Sequence, residues 1–201
     1  MKRGVIALVL SGLLLTGCNA HVDTAGLDIS GTKQASYEGV YFQVPDVEAI
    51  SFADITAKTY NTVEEQDSAK RRLVNETITG TTDSGYLLLN SHEFACFVGK
   101  SASSFDSINS SSPRDDMLSL VDHADIDFVN YGRYIANSDS VEKAVLRVDF
   151  RIENTLGEAV AYSGYLGAYN TNGAWYYYLA GYRNADASDL KLCFNMVRSM
   201  S

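Results

Sequence analysis

The chain has 201 residues, 46% hydrophobic and 20% charged, which is enough apolar material for one domain with a proper core. Its net charge is −9, and it becomes −11 if a leader carrying Lys2 and Arg3 is removed, leaving 14 basic against 25 acidic residues. That balance argues against nucleic acid and anionic lipid as electrostatic partners, because both recruit basic surfaces.

Lys2-Arg3 forms a short positive start, and Gly4 to Leu15 is an apolar run of signal-peptide length, too short to span a bilayer comfortably. The run ends in Leu15-Thr16-Gly17-Cys18, which resembles the bacterial lipobox. The resemblance implies that Cys18 is lipidated and becomes the mature N-terminus, with several acyl chains giving stable attachment to a membrane. Asn19 stands where an Asp would mark inner-membrane retention. The resemblance therefore implies the outer membrane, facing the periplasm, in a two-membraned host, and the cell surface in a one-membraned host. The chain divides into a leader (1–17), a flexible tether (18–35) that is polar and without periodicity, and one α+β domain (36–201).

Tyr37 to Val44 reads as a first strand, stopped by Pro45-Asp46. Phe52 to Tyr60 fits no single pattern. Thr62 and Glu65 form a capping box that opens a polar helix to about Asn75, with a thin apolar stripe. Tyr86 to Leu89 and Phe94 to Val98 are strand segments, readable as one bent strand broken at Asn90-Ser91-His92. A Ser-rich loop follows from Lys100 to Ser112. Ser112-Pro113 then starts a helix with an acidic first turn and Met117, Leu118 and Val121 on its buried side, and Phe128 to Ile135 is a further strand.

Ala144 to Tyr182 forms a three-stranded antiparallel meander. Leu146, Val148, Phe150 and Ile152 alternate with Arg147, Asp149, Arg151 and Glu153, so one side is apolar. A turn at Asn154-Thr155-Leu156-Gly157, with Gly in the left-handed position, sets Ile152 against Val160, Phe150 against Tyr162 and Leu146 against Leu166. Asn172-Gly173 supplies a type I′ turn and sets Leu166 against Leu179, Ala168 against Tyr177 and Asn170 against Trp175. The opposite face collects Tyr165, Tyr169, Tyr176, Tyr178, Tyr182, Arg147 and Arg151. Tyr and Arg are enriched at binding hot spots, which makes this face the candidate contact surface. A helix laid over it would equally bury the tyrosines, their hydroxyls satisfied by backbone carbonyls. Asp186 and Asp189 begin a last helix with Leu190, Cys193, Phe194 and Val197 at helical spacing, a stripe that should pack on the sheet.

Catalytic signatures are weak. Ser140-Val-Glu-Lys143 and Ser188-Asp-Leu-Lys191 both match S-x-x-K without its companion motifs, and no G-x-S-x-G, Walker loop, H-E-x-x-H or C-x-x-C occurs. Asp122, His123, Asp125 and Asp127 crowd together, but Val129 and Asn130 stand where a calcium loop needs an oxygen ligand and a Gly, so no metal is assigned. No cofactor is implied. Cys96 and Cys193 both face a core, which leaves open a disulfide or two buried thiols.

Strand, helix, strands, long loop, helix, meander and a closing helix after the Tyr-rich strand Trp175 to Arg183 resembles, over Tyr37 to Met200, the PsbP-like domain. That family implies a central antiparallel sheet with helices on both faces and a binding or assembly role. The expectation is a lipid-anchored, non-enzymatic binding domain of the bacterial envelope, holding the membrane through Cys18 and binding an envelope protein or small ligand. An envelope immunity or inhibitor protein against a secreted toxin or hydrolase is the alternative, and an envelope hydrolase working through paired carboxylates the third.

Overall fold

The computed structural model describes residues 26–56, 61–90, 93–102, 105–109, 111–121, 123, 125–136, 143–153 and 157–201. Ten strands and four helices are found among them: β1 (Thr32–Tyr37), β2 (Val40–Pro45), β3 (Ile50–Ser51), α1 (Phe52–Thr56), α2 (Val63–Asn75), β4 (Thr77–Thr82), β5 (Gly85–Asn90), β6 (Phe94–Lys100), α3 (Pro113–Ser119), β7 (Ile126–Ala136), β8 (Lys143–Glu153), β9 (Ala159–Thr171), β10 (Ala174–Tyr182) and α4 (Ala187–Arg198). The expected α+β class holds. Eight strands form one sheet in the order β3-β4-β5-β6-β10-β9-β8-β7, antiparallel except for the β3–β4 pair.

The meander forms in the anticipated register. Ile152 faces Val160, Phe150 faces Tyr162 and Leu146 faces Leu166, while Leu166, Ala168 and Asn170 meet Leu179, Tyr177 and Trp175. Asn172 and Gly173 carry the two positive φ angles, 53° and 75°, of a type I′ turn. Gly157 takes the left-handed conformation, and Asn154 to Leu156 lie outside the described residues.

Three readings of the first half need correction. The tether ends earlier than residue 35, because Thr32–Tyr37 is a strand that pairs with β2 in a separate two-stranded hairpin. Its turn is Glu38-Gly39, both at positive φ (47° and 83°), which glycine adopts freely and glutamate rarely. The supposed bent strand is two strands, β5 and β6, folded back in antiparallel pairing, with Glu93 N–H donating to the Asn90 carbonyl. Thr77–Thr82, with no apolar alternation, is the strand β4 beside them. In α2 the Thr62 hydroxyl accepts from Glu65 N–H at 3.1 Å, but the Glu65 carboxylate accepts from Asn61 N–H at 2.7 Å, one residue earlier than a capping box requires.

Both sheet faces are covered. On one, Leu146, Phe150, Leu166 and Tyr177 pack with Met117 and Leu120 at α3, and with Ile108 of the Ser-rich loop. There Trp175 donates its indole N–H to the Asp106 carbonyl at 3.2 Å. On the other, Val40, Phe42 and Val44 of β2 join Cys193, Met196 and Val197 of α4 over Tyr176, Tyr178 and Ala180. Gly167 lets α4 approach, since a Cβ there would lie 2.8 Å from the Val197 carbonyl.

The hairpin's free edge is fastened to the end of the chain. Tyr41 and Ser201 exchange backbone hydrogen bonds at 2.9 and 3.0 Å, and Gln43 N–H donates to Ser199 Oγ at 2.8 Å. Helix α4 starts with a true capping box: the Asp186 carboxylate accepts from Ser188 and Asp189 N–H, and the Asp189 carboxylate accepts from Asp186 N–H. Asp186→Ala leaves those donors to water and is expected to lower the melting temperature by roughly 2–4 °C, measured by circular dichroism. An unchanged melt would show that packing alone holds the first turn.

Candidate functional site

The tyrosine face is core and not an open contact surface. Tyr178 is 0% and Tyr176 6% exposed, and Tyr165, Tyr169 and Tyr182 are half-buried against the same cluster. The reason lies in what must cover them: the apolar stripe of α4 and the inner side of the β1–β2 hairpin both have to be buried, and this face is where they land. The Tyr178 hydroxyl donates to the Gln43 carbonyl at 2.7 Å, and Tyr165 meets Phe194 edge-on with ring centroids 5.2 Å apart. Arg147 lies over the Tyr165 ring and donates to Asp149 Oδ1 (2.9 Å) and the Gly164 carbonyl (3.1 Å). Burial alone would raise the Asp149 carboxyl, but hydrogen bonds from Ser163, Arg147 and Asn130 and the Arg147 charge outweigh it and hold it below the usual range. Arg151 is exposed, paired in register with Asp127 of β7 on one side and Ala161 of β9 on the other.

Cys96 and Cys193 are both buried and both free, so no disulfide joins them. The Cys96 thiol is hydrogen-bonded to Tyr178, and burial pushes it up to about 12; burial, then the neighbouring Cys96, pushes Cys193 up as well. Burial therefore keeps both thiols protonated in the folded chain at neutral pH.

The remaining suggestions do not converge on chemistry. His123 packs edge-on against Phe97 at 4.9 Å and its Nδ1 accepts from Asp125 N–H at 3.4 Å, whereas Asp127 is exposed along β7. Among the described residues no three His, Cys, Asp or Glu side chains gather as a metal site. Ser188 serves the α4 cap, donating to Asp186, and Lys191 reaches Asp28 at 3.5 Å. Cys18, His92, Asp122 and Ser140 lie outside the described residues.

What no sequence pattern announced is a groove of about 330 Å³ between the C-terminal half of α4 and the β8 end of the sheet. Ala144, Val145 and Ala168 from the strands and Phe194 and Val197 from the helix line it, and its exposed surface is more polar than apolar. Lys143 and Arg198 also line it, with no Asp or Glu among the described lining residues. Lys143 donates to the Met200 carbonyl at 2.7 Å with its ammonium 4.9 Å from the Tyr169 ring centre, and Arg198 lies 5.2 Å over the Phe194 ring. Leu27 completes one side, held there because Asn195 of α4 donates to the Asp28 carbonyl at 2.9 Å.

The architecture defines a class: an α+β domain whose mixed, mostly antiparallel sheet is covered by helix and hairpin on one face and by a helix and loop on the other. No family model and no curated protein sequence matches the chain. Among solved structures, that of cyanobacterial PsbP (CyanoP) from Synechocystis sp. PCC 6803 is similar with a TM-score of 0.43 and 10% sequence identity, over 88% of this chain and 95% of that one.

Proposed function

We propose that the chain is a lipid-anchored, non-enzymatic binding domain of the bacterial cell envelope, held through Cys18 and binding in the groove between α4 and β8. The observation that carries it is the position of Leu27. The lipobox places acyl chains on Cys18, and nine peptide steps from there to Leu27 span at most about 30 Å. The groove would thus open within that distance of the membrane surface. Its concave lining, apolar side chains beside the polar groups of Lys143 and Arg198, supports reading it as a small-ligand site. Among the described residues no helix is long and apolar enough to cross a membrane, so in this reading the acyl chains supply the attachment.

Cys18→Ala is expected to move the protein from the membrane to the soluble fraction and to abolish the acylated N-terminal peptide seen by mass spectrometry of the native protein. A mature N-terminus elsewhere, or an unchanged membrane fraction, overturns the anchoring.

A further inference from the structure

We infer that a second site, a cleft of about 450 Å³ between residues 111–115 and β7, takes a phosphate monoester of a small polyol, its phosphate on Arg114 and Arg133 and a hydroxyl on Asp115. It is separate from the groove between α4 and β8 and does not depend on it.

The two arginines are set apart by their lack of partners. Lys33, Arg72, Lys100, Arg147 and Lys191 all pair with carboxylates. Among the described residues Arg114 and Arg133 pair with none, in a chain of net charge −9. Arg114 instead lies over the ring of Tyr131, 5.9 Å from its centre, which steadies the guanidinium against a side chain that is 45% exposed. The backbone of β7 supplies the convergence. In a regular strand Tyr131 and Arg133 point to one face and Tyr134 to the other. Between Tyr131 and Tyr134 the register against β8 shifts, so that Gly132 and Arg133 together stand opposite Arg147. A bulge of this kind re-aims side chains, and Tyr131, Arg133 and Tyr134 all line the one cleft. The extra residue fits because it is a glycine: a Cβ at Gly132 would lie 3.2 Å from Arg147 Cβ.

The lining selects the ligand. Two guanidinium forks match a phosphate monoester, which carries close to two negative charges at neutral pH, better than a singly charged diester. Asp115 is the carboxylate among the described lining residues. It opposes a bare anion but accepts a hydrogen bond from a hydroxyl, so a phosphate carried on a polyol is favoured over the ion alone. Ser112 adds a hydroxyl that makes no bond to its own helix. No backbone amide of the short α3 is called on. The exposed surface is about evenly polar and apolar, and the volume leaves room for a small organic body beside the phosphate.

The test is isothermal titration of the full-length protein in detergent micelles with glycerol 3-phosphate, beside inorganic phosphate, glycerol, propyl phosphate and short-chain phosphatidylglycerol. Glycerol 3-phosphate is expected to bind saturably at millimolar concentration, about tenfold more tightly than any of the others. Arg114→Met and Arg133→Met should each weaken it about tenfold with unchanged melting temperature, and Arg133→Lys should retain part of it. Asp115→Ala should bring glycerol 3-phosphate and propyl phosphate to equal affinity. Equal binding of glycerol 3-phosphate and inorganic phosphate by the native protein would mean an adventitious ion only and overturns the proposal. Preference for phosphatidylglycerol, no saturable heat with glycerol 3-phosphate, or affinities indifferent to both arginines overturns it as well. None of these results bears on membrane attachment through Cys18.

Discussion

Replacing Tyr178 by alanine is expected to destabilise the domain by about 3–5 kcal/mol, the cost of removing a large aromatic side chain from a packed core. Tyr178 is fully buried where three layers meet. Its ring lies 5.5 Å edge-on from Phe42 of the hairpin, and its hydroxyl donates to the Gln43 carbonyl and touches Met196 Sδ of α4 at 3.7 Å. Tyr178→Phe keeps the ring but leaves the Gln43 carbonyl without that donor, and is expected to cost about 1–3 kcal/mol. Urea denaturation of both variants gives the two figures. A loss below 1 kcal/mol for the alanine variant would mean that the hairpin and α4 stay docked without this side chain, contrary to the packing described.

The same residue shows where sequence reading reaches its limit. The meander was legible in detail because two local signals, period-two alternation and the Asn172-Gly173 turn, fix register without help from the rest of the chain. Those signals also placed Tyr178 on the correct face. They say nothing of what covers that face, because both sides of β9 and β10 carry large side chains that tolerate burial. The cover comes from α4 and from the β1–β2 hairpin, and β1 (Thr32–Tyr37) reads TKQASY, with no apolar alternation and a turn that puts Glu38 at positive φ. β1 is held by β2, whose Tyr41 and Gln43 bond to Ser201 and Ser199 more than a hundred residues away, and partners so distant leave no local trace.

The groove was illegible for a related reason. Lys143 opens β8, Arg198 closes α4 and Leu27 lies in what reads as tether, so each has an ordinary local explanation: a strand end, a cation in the last helical turn, a linker residue. Only the crossing of α4 over β9, made possible by the bare backbone at Gly167, brings them together. The resemblance of Leu15-Thr16-Gly17-Cys18 to a lipobox is the opposite case, since four adjacent residues carry all of it and they lie outside the described residues.

The domain is expected to lose stability steeply above pH 9. An ordinary thiol titrates at 9.0, while burial raises Cys96 to about 12. Below pH 9 both folded and unfolded chains hold this proton, and its contribution is fully present. As pH rises from 9 to about 12 the unfolded chain has released it and the folded chain has not, so unfolding becomes easier by about 1.4 kcal/mol per pH unit, about 4 kcal/mol in all. Cys193 acts in the same direction, burial being the largest cause. From pH 10 upward burial adds Tyr162, raised to about 12, then Tyr178 and Tyr182, all likewise pushed up. Below pH 9 the tyrosines, ordinarily titrating at 10.0, stay largely protonated in both states, so the onset of the fall belongs to the two thiols. Urea midpoints at pH 8, 9 and 10 should therefore fall, more steeply between 9 and 10 than between 8 and 9, and Cys96→Ala should make the fall shallower. A flat profile from pH 8 to 10 would show that both thiols ionise as freely in the folded chain as in the unfolded one, and that the layer between α4 and the sheet is not sealed from water.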